Sequence, residues 1–111
     1  MPDRFTASVR MDDGTPVIEL IGQIDADAEA AILAAWDQAA GDDQRVVLDF
    51  GRTEYINSTG LAIIVQVLAR ARADRREVHA FGLSDHYHEI FQITRLADFV
   101  TLHADRATAL A

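Results

Sequence analysis

The chain has 111 residues, 50% of them hydrophobic and 25% charged, with ten basic against eighteen acidic side chains and a net charge of −8. That length suits one domain with its own core, and the composition is that of a folded chain, not a disordered one. The negative surface argues against direct nucleic-acid or membrane binding, and zero cysteines exclude disulfides, a thiolate nucleophile and cysteine-ligated metals.

Phe5, Ala7, Val9 and Met11 alternate with polar residues, the period-2 pattern of a strand with one buried face. Asp12-Asp13-Gly14-Thr15 is turn chemistry, and Val17 to Ile21 is a second β-branched run, so a hairpin opens the domain. Gly22-Gln23-Ile24-Asp25 closes it. From Asp27 to Ala40 the spacing of Ile32, Leu33 and Trp36 predicts an amphipathic helix, capped by Asp25 or Asp27 and stopped by Gly41-Asp42-Asp43. Val46–Phe50 is a short apolar run expected of a central strand. Gly51 to Tyr55 connects it to a helix running to about Ala73. Val78–Phe81 is another buried strand, Ser84 caps a helix reaching Ile93, Phe99–Leu102 is a short strand, and Asp105–Leu110 a short helix. The order β-β-α-β-α-β-α-β-α predicts a single α/β domain, residues 1–111, with a mixed sheet opened by a hairpin and about four helices packed on it. Met1-Pro2-Asp3-Arg4 lacks the apolar core of a signal peptide, and no run approaches the roughly 20 apolar residues of a membrane span, so the cytoplasm is the expected location.

Most of these segments are scaffold. The exception is the strand-to-helix junction Asn57-Ser58-Thr59-Gly60-Leu61. One N-cap would suffice to start a helix, yet three small polar residues stand in a row. Unpaired N–H groups and the positive dipole end make a helix N-terminus tolerant of a phosphate on Ser58. The same phosphate adds roughly −1.5 to −2 charges to whatever docks there. In the following helix, Leu61, Ile64, Val65 and Leu68 are expected to face the core. Ile63 then falls on the opposite face with Thr59, Gln66 and Arg70, as an exposed apolar contact beside Ser58.

Five segments together resemble the STAS domain family, and within it the bacterial anti-sigma factor antagonists: Val17–Asp25 (VIELIGQID), Val46–Phe50 (VVLDF), Tyr55–Ile64 (YINSTGLAII), Val78–Ser84 (VHAFGLS) and Ile90–Leu96 (IFQITRL). They follow the family order over nearly the whole chain. In that family the signature usually reads Asp-Ser-Ser/Thr-Gly-Leu, and its first serine is phosphorylated by an ATP-dependent anti-sigma factor kinase. The resemblance implies that the unmodified domain binds that kinase, the phosphorylated domain releases it, and a phosphatase resets the cycle. It places the phosphoacceptor at Ser58, and the partner contacts at Asp25, Asn57, Thr59 and Gly60. Asn57 departs from the usual aspartate: it caps equally well but carries no charge. Stand-alone members of the family also serve, unphosphorylated, as accessory subunits of lipid-transport ABC complexes or as scaffolds in sensory complexes. The oligomeric state stays open.

Other constellations point to no chemistry. His86 and His88, at i and i+2 on a helix, lie about 200° apart and cannot share a metal ion. His79 and His103 show no convergence in sequence, so neither metal nor cofactor is expected. Asp25 and Asp27 read as caps, Asp49 needs a buried partner or a place near the sheet's edge, and Glu54 has no catalytic companion. No histidine is placed to activate Ser58, and the glycines form no nucleotide-binding pattern, so an enzyme is not expected. Arg70, Arg72, Arg75 and Arg76 read as a solvated helix end that suits the dipole.

Overall fold

Strands β1 (Thr6–Asp12) and β2 (Thr15–Ile24) form the expected antiparallel hairpin, with Ala7 opposite Leu20 and Val9 opposite Ile18. The two-residue turn Asp13-Gly14 has positive φ at both positions (52° and 82°), the backbone that matches strand twist and that an Asp-Gly pair supplies. The computed structural model describes residues 5–39 and 44–111, so the expected helix stop at Gly41-Asp42-Asp43, the helix end at Ala40 and the polar Met1–Arg4 lie outside the described residues.

Strand β3 (Arg45–Asp49) runs parallel to β2, and β4 (Thr53–Ile56) does so further along the same strand. Strand β5 (Glu77–Phe81) pairs with β3, and β6 (Thr101–His103) with β5, both parallel. The sheet order is β1-β2-β3-β5-β6, with β4 on β2. Strand β4 replaces part of the connection expected over Gly51 to Tyr55; Glu54 and Tyr55 are exposed and Ile56 alone is buried. Its role is positional. Strand β3 parts from β2 after Glu19 meets Asp49, and β4 takes over its lane from Gly22 to Ile24.

The helices are α1 (Glu29–Ala39), α2 (Ser58–Ala73), α3 (Asp85–Ile93) and α4 (Arg106–Leu110). Helices α1, α2 and α3 build the main core with the sheet, including Leu20, Ile24, Trp36, Phe50, Ile64 and Phe91. Helix α4 covers a smaller cluster of Val17, Val47 and Ala109, flanked by Phe81 and Leu110. Arg45 ties α4 down by donating to the carbonyls of Ala109 (3.3 Å) and Ala111 (2.6 Å), and Arg106 pairs with Asp12.

Two expectations are corrected by the packing. The buried stripe of α2 is Gly60, Ile63, Ile64, Val67, Leu68 and Ala71, so Ile63 is a core residue, 1% exposed, and Val65 takes the outer face at 47%. Gly60 sets this rotation: its backbone approaches β2 so closely that the face carrying it must turn inward. The basic helix end is only partly solvated. Arg76 donates to the Ala39 carbonyl (2.8 Å) and covers Trp36, while Arg70 lies 3.6 Å from Asp37.

Candidate functional site at the start of α2

Strands β2 and β4 end side by side, at Ile24 and Ile56. The chain leaving β2 turns at Asp25, whose Oδ1 accepts the Asp27 N–H (3.0 Å) and caps the 3-10 turn Ala26–Ala28. The chain leaving β4 donates the Asn57 N–H back to the Ile24 carbonyl (3.2 Å). Asn57 then starts α2 in an extended conformation (φ −90°, ψ −177°). Its Oδ1 accepts the Gly60 N–H (2.8 Å), and its carbonyl accepts the Leu61 N–H (2.9 Å). The expected cap is therefore Asn57 itself.

Gly60 is needed for space. A Cβ there would stand 2.0 Å from the Ile24 carbonyl oxygen and 2.8 Å from its carbon. This contact presses the first turn of α2 onto the end of β2. Asp25, Asn57, Thr59 and Gly60 are thus gathered around Ser58 at one end of the sheet, whereas Ile63 is turned away into the core. Ser58 and Thr59 are exposed at the tip. The first turn contains no acidic side chain, so the N–H groups of Ser58 and Thr59 present an uncompensated positive dipole end.

Tyr87 completes the support, and the sequence reading, which saw it only as the residue between two histidines, missed it. Its hydroxyl accepts the Ile56 N–H (2.9 Å), pinning α3 to the residue before Asn57. Ser84 caps α3 as expected, accepting the Tyr87 N–H at 3.3 Å. Gln66 donates to Glu29 (3.1 Å), linking α2 to α1. Tyr55, 52% exposed beside the junction, is a further surface residue that alternation alone did not single out.

His79 and His103 do converge, contrary to expectation. Parallel pairing of β5 and β6 brings their rings to 5.1 Å, with Nδ1 of His79 2.8 Å from Nε2 of His103 and Nε2 of His79 3.0 Å from Glu77. Burial, reinforced by the charges of His79 and Arg45, holds His103 below its ordinary pKa. His86 instead lies edge-on to Tyr87. Among the described residues no three His, Cys, Asp or Glu side chains are arranged to hold a metal ion. Asp49, 7% exposed, closes β3 and accepts the Gly51 N–H (2.8 Å), a structural task.

The family model described as "Mlab, STAS domain" matches residues 7–102, which take in the whole of the junction at Ser58: the chain belongs to the STAS domain family. Its sequence is 32% identical over 83 residues to BtrV of Bordetella bronchiseptica, a protein assigned as an anti-sigma factor antagonist, covering 75% of this chain and 69% of that one. The fold is similar to an anti-sigma factor antagonist from Mycobacterium paratuberculosis (TM-score 0.82, 22% identity, 99% of this chain and 94% of that one). It is also similar to the phosphorylated form of the Bacillus cell fate determinant SpoIIAA (TM-score 0.66, 21% identity, 95% and 96%). The chain groups with the anti-sigma factor antagonists, which are non-enzymatic regulators. Among the described residues no helix is long and apolar enough to cross a membrane.

Proposed function

We propose that the domain is a partner switch in transcriptional control: unmodified, it binds an anti-sigma factor kinase, and phosphorylated at Ser58 it releases it. The observation that carries this reading is the setting of Ser58, exposed at the first position of α2 with no carboxylate in its turn. A phosphate there meets the helix dipole and free N–H groups, so the domain itself tolerates it. A partner docked over Asp25, Asn57, Thr59 and Gly60 does not. Desolvating a doubly charged group against an apolar or acidic surface costs several kcal/mol, on the order of what holds a micromolar complex together. A phosphatase then resets the switch, and the cycle runs in the cytoplasm.

Asn57 favours a second reading, in which the domain is an unphosphorylated accessory subunit of a lipid-transport ABC complex or a sensory scaffold. The cap is intact, but the carboxylate that usually precedes the phosphoacceptor is missing. Wild-type and Ser58→Glu domains used as baits in lysate of the source organism separate the two. Capture of a kinase-like anti-sigma factor by the wild type alone supports the switch. Retention of one transporter ATPase by both baits overturns it in favour of the accessory role.

A further inference from the structure

The outer face of α2 carries a second feature, away from its N-terminus. Val65, Leu68, Ala69 and Arg72 form a groove with Leu96 and Phe99 from the segment after α3, and its lining is almost entirely apolar. Val65 is 47% exposed and Phe99 49%, and unlike the other exposed apolar side chains they line one groove together. The groove holds about 190 Å³. Sites for drug-sized ligands run from roughly 300 Å³ upwards, so this volume suits a single Leu- or Phe-sized side chain.

The charge is equally specific. Arg72 lies over the Phe99 ring at 5.5 Å and has no carboxylate partner among the described residues. Arg75 beside it is exposed as well, whereas Arg70 is matched by Asp37 and Arg76 is packed on Trp36, so Arg72 is the cation that the groove itself presents. The groove also continues a seam. Ser58, Ala62, Val65, Ala69 and Arg72 are all exposed and recur at alternating spacings of four and three, the interval at which one helix receives another. Val65 lies about 10 Å and Arg72 about 21 Å along the axis from Ser58.

We infer that this face is a docking surface for an acidic amphipathic helix of a partner protein, with one bulky apolar side chain in the groove and a carboxylate one turn away on Arg72. Anchoring by one buried side chain inside an apolar rim is how helix-in-groove contacts concentrate their binding energy. The inference does not depend on phosphorylation of Ser58.

Random peptides displayed on phage and selected on the whole protein test it. The selected sequences should place Leu, Phe, Trp or Met within one helical turn of Asp or Glu. Their affinity should fall roughly tenfold or more with Val65→Glu and with Arg72→Glu, and stay unchanged with Arg10→Glu on the exposed face of β1. All three substitutions are at exposed positions, and matching thermal unfolding curves establish that the fold is kept. Selection of peptides without acidic residues, affinities indifferent to Val65 and Arg72, or no enrichment would each overturn the inference. So would a dimer that Val65→Glu dissociates, which assigns the groove to a second copy of this chain.

Discussion

Replacing Gly60 by alanine probes the contact that places the site. In an ordinary helix this change stabilises by up to about 1 kcal/mol, because alanine loses less backbone entropy on folding. Here the new Cβ would stand 2.0 Å from the Ile24 carbonyl oxygen. Both atoms are fixed by backbone, so no rotamer change relieves the clash, and the start of α2 must retreat by roughly 1 Å or more. Such a shift stretches the Asn57-to-Ile24 hydrogen bond, now 3.2 Å. Overpacking of about 1–3 kcal/mol and a weakened hydrogen bond of about 1 kcal/mol outweigh the helical gain. The expected net loss is about 1–3 kcal/mol, or a fall of roughly 4–13 °C in Tm for a domain of this size. Urea and thermal unfolding of the two proteins measure it directly. A Gly60→Ala protein as stable as the wild type would show that α2 is not pressed onto β2, and the account of how Ser58 is presented would fail with it.

Asn57→Ala should cost about 1 kcal/mol by removing the acceptor of the Gly60 N–H, whereas Asn57→Asp keeps the cap and adds up to about 1 kcal/mol that shrinks with salt; denaturant titrations at two ionic strengths distinguish them. Tyr87→Phe leaves the Ile56 N–H without its partner and should cost about 1–3 kcal/mol, read as a shift in the urea midpoint. Acid should destabilise the β6–α4 end in two stages. Burial, and then the charges of His79 and Arg45, keep His103 below the ordinary histidine value of about 6.5, so the unfolded chain takes up this proton first and stability falls as pH drops through that value toward the folded one. The Thr108 N–H and hydroxyl hold Asp105 below its usual range, and His79 does the same for Glu77, so their contributions are present above the ordinary carboxylate values and are lost at lower pH. Thermal unfolding against pH should show the first stage in the wild type and lose it in His103→Gln.

The sequence carried the hairpin, the central strands and the helix at Ser58 because each has a local cause. Asp-Gly is a turn, alternation is a half-buried strand, and Asn-Ser-Thr-Gly is a capped helix start. What it did not carry were effects settled by contact between distant segments. Strand β4 has one buried residue and exists because β3 leaves the lane beside β2 vacant. Periodicity showed that α2 is amphipathic, but with Leu61, Ile63, Ile64, Val65, Val67 and Leu68 all apolar it could not fix the rotation; the approach of Gly60 to Ile24 does that, burying Ile63 and exposing Val65. His79 and His103 are 24 residues apart and meet only because β5 and β6 pair. The cluster around Ser58 was legible by family resemblance, while the hydrogen bonds that hold it, from Asn57 to Ile24 and from Ile56 to Tyr87, required the fold.

The most direct test of the switch is a calorimetric titration of the anti-sigma factor kinase with two forms of the domain, unmodified and phosphorylated at Ser58. The account predicts micromolar or tighter binding for the unmodified form and a loss of roughly a hundredfold or more on phosphorylation, with both forms equally folded by circular dichroism. Equal affinity for the two forms would contradict it, leaving Ser58 as the first residue of a helix and nothing more.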